Sequence, residues 1–409
     1  MSAPADLRER LRAMPAVGQL LPALDDLPPV FLVGGAVRVL LGIDDRLPGV
    51  DLAVEGDARA AARTLAARLG GEAREYEQFG TATVRTPRLE FDLAATRRET
   101  YSEPGALPDV TPAPLADDLA RRDFAVNAMA VGLRGDDLGH LYDPLGGVRD
   151  AEGRVIRILH PDSFTDDPTR LLRAVRFEVR LDFRMDEDTE RAAREAVAAG
   201  ALATVSGPRI RDELVDLLAE VEAPTAVARL ADLGIDRGLH PELRPDPELV
   251  ASAALGAAAI EADRSLAALA ALCAGAPAEL DLWLAGLQLD ARDRDVVSWA
   301  ARMAPGLAAE LRSRDHSPSE LRGLLARQPR ESLALALAAG APPEPILRWI
   351  SDLSHVRLEI SGADLLAEGV PEGPALGAAL EATLDRKLDG LVSSRDEELR
   401  TALELAREA

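Results

Sequence analysis

The segment Val30–Asp57 reads VFLVGGAVRVLLGIDDRLPGVDLAVEGD, and it decides the fold of the first part of the chain. An apolar run stops at Gly34 and Gly35, an amphipathic stretch follows, and a second short run contains Asp51. Short apolar runs bounded by glycine or proline are typical of strands. Glycines where a strand turns into a helix let backbone N–H groups approach an anion closely. The segment therefore predicts a strand–turn–helix unit with a phosphate site at the two glycines, which Arg38 reaches from the helix.

Asp51 raises the question of a metal site, because metal-dependent phosphoryl transfer usually needs paired carboxylates. Residues i and i+2 of a strand share a face, so the expected partner would stand two positions before Asp51. That position is Gly49. Two outcomes stay open: Asp44, Asp45 or another carboxylate completes the site, or two-metal catalysis is crippled.

A further carboxylate, Asp92, lies inside the β-like run Leu89–Ala94. A charge among apolar residues costs free energy unless it is paired or bound to a metal. Asp92 is therefore either a second metal ligand or a residue that caps a strand end or pairs with Arg97.

Composition limits the classes of protein that the chain can belong to. Its 409 residues suggest two to four domains, and its formal net charge of −23 argues against non-specific coating of nucleic acid, although a local basic groove remains possible. No run of 18 apolar residues appears, so we expect no membrane span. The charged N-terminal stretch lacks the apolar core of a secretory signal. The single cysteine, Cys273, fits a reducing compartment and hence the cytoplasm.

The pattern of apolar residues divides the chain into zones. Residues from about 28 to 150 mix short β-like runs with helices, whereas strand signals nearly vanish from about residue 155 onward. The β-like runs are Val30–Val33, Val50–Val54, Ala82–Arg85, Leu89–Ala94 and Phe124–Val131. Asp167–Pro168 predicts a helix start, with Asp167 as N-cap and Pro168 at the first helical position. The predicted domains are a head over residues 1–155, a helical neck over 156–225, and a helical body and tail over 226–409.

Eight blocks in order along the chain resemble the class II tRNA nucleotidyltransferase and bacterial poly(A) polymerase family. Seven are nearly continuous: VGGAVR (33–38), VDLAVEGDA (50–58), DLAATRRETYSEPGALPDV (92–110), DLARRDFAVNAMAV (118–131), YDPLGGVRD (142–150), RILHPDSFTDDPTRLLRAVRFEVRLDF (157–183) and SGPRIRDELVDLL (206–218). The eighth, LEISGADLLAEGVPEGPALGAAL (358–380), is similar to a tail segment of the same family.

The resemblance implies a fold and an activity. The fold would be an α+β head of the nucleotidyltransferase type, with a mixed five-stranded sheet and helices, followed by an all-α neck, body and tail that bind RNA. The activity would be template-independent addition of C and/or A from CTP or ATP to the 3′ end of tRNA, with Mg²⁺ as cofactor. The resemblance leaves open whether CCA, CC, A or poly(A) is made, and whether the chain is a monomer or a homodimer.

The resemblance also implies roles for particular residues. Asp51 and Asp92 would be the catalytic metal ligands. The nucleotide would be bound by residues of the glycine turn, of the block DLARRDFAVNAMAV (the RRD block) and of the predicted neck helix. These residues are Gly34, Gly35, Arg38, Arg122, Asp123, Asn127, Asp167, Arg170, Arg173 and Arg176.

The chemistry of the neck block agrees with a base-reading role. Asp167 offers acceptors and Arg170 offers donors, and cytosine and adenine both present an amine donor beside a ring-nitrogen acceptor. Residues three apart drift ~60° around an ideal helix. Asp167, Arg170 and Arg173 can therefore converge on one ligand, whereas Arg176 must reach round or contact something else.

A second predicted helix start, at Ser206, belongs to the SGPRIRDELVDLL block. Arg209 and Glu213 follow at i, i+4 spacing, which predicts a helix-stabilising pair. The resemblance adds a role for this helix in bracing the head against the neck.

Two departures from the family pattern set the alternatives for function. Val39 stands where the family usually has Asp after the arginine, and Gly49 stands where it has the first Asp of a D-x-D pair. One hypothesis is an active nucleotidyltransferase. The alternative is a catalytically degenerate paralogue that binds nucleotide and tRNA without transfer.

Overall fold

The computed structural model describes residues 4–46, 49–76, 80–275 and 278–408. Contacts divide the chain into two compact units, one containing Met1–Glu222 and Arg229–Leu239, the other containing Ala223–Ala228 and His240–Ala409. The finer division into head, neck and body with tail stays a prediction.

Strands are concentrated in the first 150 residues, as the apolar runs predict. Within the described ranges the strands are β1 (Val30–Val33), β2 (Asp51–Val54), β3 (Glu72–Tyr76), β4 (Thr81–Arg85), β5 (Glu90–Ala95), β6 (Arg97–Thr100), β7 (Asp109–Pro112), β8 (Ala130–Gly132), β9 (Leu141–Tyr142), β10 (Val155–Ile156) and β11 (Arg184–Met185).

One mixed sheet carries the head. Its strand order is β3-β4-β5-β2-β1-β8-β9; β2 and β5 run parallel, and every other neighbouring pair is antiparallel. The α+β class is confirmed, but the expected count of five strands was wrong, because the described residues form seven in this sheet. The two sheet strands without a predicted run are β3, which has no fully buried position, and β9, which is only two residues long.

Both faces of the sheet are covered, which explains the unbroken apolar run of β1. Val30 and Leu32 belong to the large core on one face, whereas Phe31 and Val33 pack on the other face. Side chains alternate along a strand, so a strand that is buried on both sides shows no polar positions. Asp51 shares a face with Ala53, which packs on the same side as Phe31.

Helices surround this sheet and make up most of the rest of the first 240 residues. They are α1 (Pro4–Ala13), α2 (Pro15–Leu20), α3 (Gly35–Leu41), α4 (Ala58–Leu69), α5 (Leu115–Ala120), α6 (Gly147–Glu152), α7 (Ser163–Asp166), α8 (Thr169–Leu181), α9 (Glu187–Ala198), α10 (Gly207–Ala219), α11 (Ala223–Leu233) and α12 (Ile235–Leu239). Helix α4 lies against β3, β4 and β5 on the large-core face, and α5 packs on the opposite face.

Two local predictions needed correction. Phe124–Val131 was read as one β-like run, but Ala125–Asn127 form a 3₁₀ turn and only its end enters β8. The cause is local, since the Asp123 carboxylate accepts hydrogen bonds from the backbone N–H of Phe124 and the side-chain amide of Asn127. Helix α8 begins at Thr169 rather than at Pro168, although Asp167 still accepts the backbone N–H of Thr169.

The second unit is helical throughout its described residues. Its helices after α12 are α13 (Pro247–Ala259), α14 (Arg264–Leu272), α15 (Leu280–Gly286), α16 (Ala291–Ser313), α17 (Pro318–Leu325), α18 (Arg330–Ala338), α19 (Pro343–Ser351), α20 (Gly362–Ala367), α21 (Pro374–Leu388) and α22 (Arg395–Glu408). Four of them begin at a proline, a residue whose missing N–H costs nothing at the first helical position. None of the described helices is both long and apolar enough to cross a membrane.

Candidate functional site

The glycine turn lies between β1 and α3. Gly34 has φ of +64°, a left-handed conformation that favours glycine. A Cβ atom built on Gly34 would lie 3.5 Å from Oδ2 of Asp51 and 3.9 Å from Nη1 of Arg122. The turn therefore faces both the expected metal ligand and a guanidinium group.

Asp51 and Asp92 are brought together by the sheet. They are direct register partners on the parallel strands β2 and β5, and neighbouring strands lie about 4.8 Å apart. The carboxylate of Asp92 accepts a hydrogen bond of 2.5 Å from Oγ1 of Thr83. Restricted access to water and the charge of Asp92 raise the pKa of Asp51, against the opposing influence of Arg122. Two carboxylates that share one face in this way fit the oxygen-ligand chemistry of a divalent cation.

Gly49 stands two positions before Asp51, at the place of the expected carboxylate. A Cβ atom at Gly49 would have no heavy atom of the described residues within 4 Å, so the described part of the chain leaves room for the first atom of a side chain there. Neither nearby aspartate takes its place. Asp44 is buried; its Oδ2 lies 3.2 Å from Nη2 of Arg38, and its Oδ1 accepts the backbone N–H of Arg46. The side chain of Asp45 is 96% exposed.

The described residues hold no group of three or more histidines, cysteines or acids that could bind a metal ion. In this structure neither Asp44 nor Asp45 joins Asp51 and Asp92 in such a group, which was one of the two outcomes that the sequence left open.

Arg38 lies on α3 just after the glycine turn, and three contacts hold its guanidinium group. Its Nη1 donates to Oδ1 of Asn127 at 2.5 Å, its Nη2 to Asp44, and its guanidinium lies 4.9 Å from the centre of the Phe177 ring. Burial lowers the pKa of Arg38, and Asp44 opposes that effect. Nε of Arg38 is buried and has no hydrogen-bond partner among the described residues. Arg38 thus keeps one unpaired donor.

Asp123 binds a side chain of helix α8. Its Oδ2 accepts hydrogen bonds of 2.9 and 2.8 Å from Nε and Nη2 of Arg173, and its Oδ1 accepts from Asn127. Burial alone would raise the pKa of Asp123, but Arg173 and the Asn127 hydrogen bond outweigh it and lower that pKa to about 2. Asp123 is therefore a fixed anion that orients Arg173 from α8.

The residues predicted to read the base line the same space. Oδ1 of Asp167 accepts from Oγ1 of Thr169 at 2.6 Å and from Nη2 of Arg209 at 2.7 Å. Arg170 is buried and donates to Oγ of Ser163 at 2.7 Å and to the backbone carbonyl of Arg121 at 2.8 Å. Both side chains are thus oriented by contacts other than with each other.

The expected pair of Arg209 with Glu213 was wrong, because Arg209 binds Asp167 and the carbonyl of Gly105 instead. Glu213 forms ion pairs with Arg173 and Arg176 on the facing helix α8. The prediction that Arg176 must contact something else is confirmed, since Arg176 also pairs with Asp216 on α10. It nevertheless lines the same space as Arg170.

One cavity of about 660 Å³ gathers these groups. Eleven of the twelve residues predicted from the sequence line it, and Asp92 lines an adjoining cavity of about 340 Å³ that shares Asp51 and Arg122. The roles of these residues stay predictions. The larger cavity has eight arginines and five carboxylates in its lining, so it is a local basic site in a strongly acidic chain.

The sequence interpretation did not single out several lining residues, among them Arg121, Arg180, Phe177 and Glu99. Arg180 lies four positions after Arg176 on α8, close to one helical turn, and Arg121 directly precedes Arg122 in the sequence, so both had a signal that could have been used. No sequence signal marked Glu99 or Phe177, because β6 places Glu99 at the cavity and side-chain packing places Phe177 there.

Comparison with known proteins places this geometry in a family. Residues 30–157 match the family model described as "Poly A polymerase head domain", and residues 182–246 match "Probable RNA and SrmB- binding site of polymerase A". The A-adding tRNA nucleotidyltransferase of Geobacter sulfurreducens is 33% identical over 93% of this chain and 46% of its own length. The CC-adding enzyme of Deinococcus radiodurans is 34% identical over 91% of this chain and 88% of its own length.

Solved structures resemble the fold over nearly the whole chain. A CCA-adding enzyme in complex with CTP has a TM-score of 0.79 at 29% identity, covering 98% of both chains. The Thermotoga maritima CCA-adding enzyme complexed with tRNA has a TM-score of 0.76 at 30% identity, covering 97% of this chain and 98% of that one. The chain spans half or less of the length of the three A-adding relatives from Geobacter sulfurreducens, Aquifex aeolicus and Halalkalibacterium halodurans. On this similarity in sequence and structure, the chain belongs to the family of tRNA nucleotidyltransferases and bacterial poly(A) polymerases.

Proposed function

We propose that this chain adds C and/or A from CTP or ATP to the 3′ end of tRNA without a nucleic-acid template. The observation that carries the proposal is the basic cavity. The glycine turn, residues 121–123 and helix α8 all contribute to its lining. The adding enzymes named above supply the substrate class, because their structures include complexes with CTP, ATP and tRNA.

Base selection would lie with Asp167 and Arg170. Thr169 and Arg209 hold Oδ1 of Asp167, which fixes the direction of the carboxylate. Ser163 and the carbonyl of Arg121 hold the guanidinium of Arg170. A fixed acceptor beside a fixed donor matches the amine and ring nitrogen that cytosine and adenine share, and rejects the reversed pattern of uracil and guanine.

The polyphosphate would lie against the glycine turn and the arginines. Gly34 allows close approach of the backbone, and guanidinium groups bind phosphate oxygens in a bidentate manner. The 3′-hydroxyl of the RNA would attack the α-phosphate and release pyrophosphate, so no covalent enzyme intermediate is needed. When bound, Mg²⁺ would be held by Asp51 and Asp92 and would supply Lewis-acid polarisation of the phosphate and a lower pKa for the attacking hydroxyl.

The division of labour along the chain is part of the same proposal. The head over 1–155 and the neck over 156–225 would hold the nucleotide, and the body and tail over 226–409 would hold the RNA. The cytoplasm is the proposed compartment, because tRNA is the substrate and the single cysteine, Cys273, is buried and free of any disulfide.

The test is incubation of the purified chain with tRNA that lacks its CCA end, labelled CTP or ATP, and Mg²⁺. We expect incorporation from at least one nucleotide at the 3′ end, with UTP and GTP excluded. If neither nucleotide is incorporated while tRNA still binds, the proposed catalysis is contradicted and the degenerate alternative is favoured. That alternative stays a prediction based on Val39 and Gly49, and the relatives and structures named above give it no specific support.

A further inference from the structure

The carboxylates at the sheet fit one divalent cation and do not fit two. Asp51 and Asp92 are register partners on adjacent parallel strands, which suits a single ion between them. Mg²⁺ is usually bound through one or two carboxylates plus substrate phosphates, so this pair supplies protein ligands for one ion and few for two ions held about 3.5–4 Å apart. Gly49 offers no side chain at the position that would supply it.

The acidic residues nearest in sequence are committed elsewhere. Oδ2 of Asp44 lies 3.2 Å from Nη2 of Arg38 and 3.3 Å from Nε of Arg180, and its Oδ1 is held by the backbone N–H of Arg46. Recruiting Asp44 to a metal would leave two largely buried arginines without their carboxylate, which is strongly unfavourable. Asp45 is exposed to solvent.

Two fixed cations, Arg38 and Arg122, line the same cavity as Asp51. Arg122 approaches the glycine turn from the side of Asp51, with Nη2 donating to Asp118 at 3.0 Å and Nη1 donating to the carbonyl of Asn127. Arg38 is held by Asn127, Asp44 and the Phe177 ring. The Nε atoms of both arginines are buried and have no hydrogen-bond partner among the described residues. A buried donor without an acceptor calls for a partner, and a phosphate oxygen is one that suits a guanidinium group.

We propose that this site takes a nucleoside triphosphate together with a single divalent cation, held by Asp51 and Asp92, and that Arg38 and Arg122 supply the positive charge that a second cation would otherwise bring to the polyphosphate. Guanidinium groups stabilise the charge that develops in phosphoryl transfer, so they can take over part of that work. The inference rests on the nucleotide binding of the proposed function but not on turnover.

The test counts cations in the complex of the full chain with a CTP analogue that has a methylene bridge between the α- and β-phosphates. Mn²⁺ replaces Mg²⁺, because both prefer oxygen ligands. The amount of Mn²⁺ per chain is measured after removal of free metal, and electron paramagnetic resonance separates an isolated ion from a coupled pair. We expect one uncoupled Mn²⁺ per chain in the wild type.

The matched variant is Gly49→Asp, which restores the missing carboxylate at a position where a Cβ atom would have no atom of the described residues within 4 Å. We expect two coupled Mn²⁺ ions in this variant. Two coupled ions in the wild type, or none with the analogue bound, would overturn the proposal; one ion in both chains would overturn the role given to Gly49. If the variant does not fold, the wild-type count still decides.

The arginines are tested separately by the affinity for the analogue. Arg122→Met should raise its Kd at least tenfold, while Arg88→Met, at an exposed arginine outside the cavity, should leave it unchanged. Equal affinities in the two variants would contradict the role of Arg122. A correct cation count without nucleotide incorporation would defeat only the proposed function, whereas a wrong count with incorporation would defeat only this inference.

Discussion

The two ends of the candidate site differ in how completely they are built. At the neck end, which we define as Asp167, Arg170, Arg173 and Arg176, every side chain is oriented by at least one partner. At the sheet end, defined as Gly49, Asp51 and Asp92, Gly49 stands where the first carboxylate is expected, so that position has no side chain. The difference predicts that base recognition and metal binding are separable in this fold, since one end keeps the full set of expected groups while the other lacks an expected carboxylate.

The largest expected effect comes from removing a ligand at the sheet end. Asp51→Asn should lower the rate of incorporation by on the order of 10²–10³-fold, because electrostatic stabilisation is usually the largest catalytic contribution. The Kd for CTP should change little, because the neck end is untouched. Single-turnover incorporation and equilibrium binding measure the two quantities, with the exposed Asp45→Asn as control. A loss of both in equal measure would show that the ends are not separable.

A second large effect should appear in stability rather than in rate. Asp44→Asn leaves Arg38 and Arg180 beside a neutral amide, and breaking a buried ion pair costs about 3 kcal/mol or more. Denaturant unfolding of this variant and of Asp45→Asn measures the difference. Equal free energies of unfolding would show that Asp44 is free to leave its arginines, which would reopen the possibility of a recruited metal ligand.

At the neck end, Asp167→Asn should reduce kcat/KM for the preferred nucleotide by roughly 10- to 100-fold, the cost of about 1–3 kcal/mol for an unmatched polar group. Discrimination against UTP should also weaken, because the amide can donate to the uracil carbonyl. The control is Asp182→Asn at the end of the same helix, where the carboxylate is 79% exposed. Unaltered discrimination in Asp167→Asn would remove Asp167 from base reading.

Acid should also affect the junction of head and neck through Asp123. The pKa of Asp123 is lowered to about 2 in the folded chain, below its ordinary value of about 3.9 when unfolded. A lowered pKa contributes stability that is present above pH 4 and is lost as pH falls toward 2. The wild type should therefore lose about 2 kcal/mol more than Asp123→Asn over this range. Parallel pH profiles of the two unfolding free energies would contradict the ion pair with Arg173.

Much of the site could be predicted from the sequence because its signals are local. The strands β1, β2, β4 and β5 followed from short apolar runs, and the glycine turn followed from its position between a strand and a helix. β3 escaped notice because its residues Glu72–Tyr76 alternate only between exposed and partly exposed positions, as at a sheet edge.

What escaped prediction depends on contacts between distant parts of the chain. The partners of Asp44 include Arg180, 136 positions further along, and nothing near Asp44 indicates that pairing. Arg209 likewise binds Asp167 rather than its helical neighbour Glu213, because the packing of α10 against α8 brings Glu213 to Arg173. Local spacing could not reveal which of these charged partners would meet.

The most direct test of the difference between the two ends is the single-turnover rate of Gly49→Asp against the wild type, with tRNA lacking its CCA end and saturating CTP or ATP. Restoring the carboxylate should raise the rate roughly tenfold or more, since a complete cation site stabilises the developing charge better. The Kd for nucleotide should stay the same within a factor of about two, since the neck end is unaltered. A folded Gly49→Asp chain that is no faster than the wild type would contradict the account.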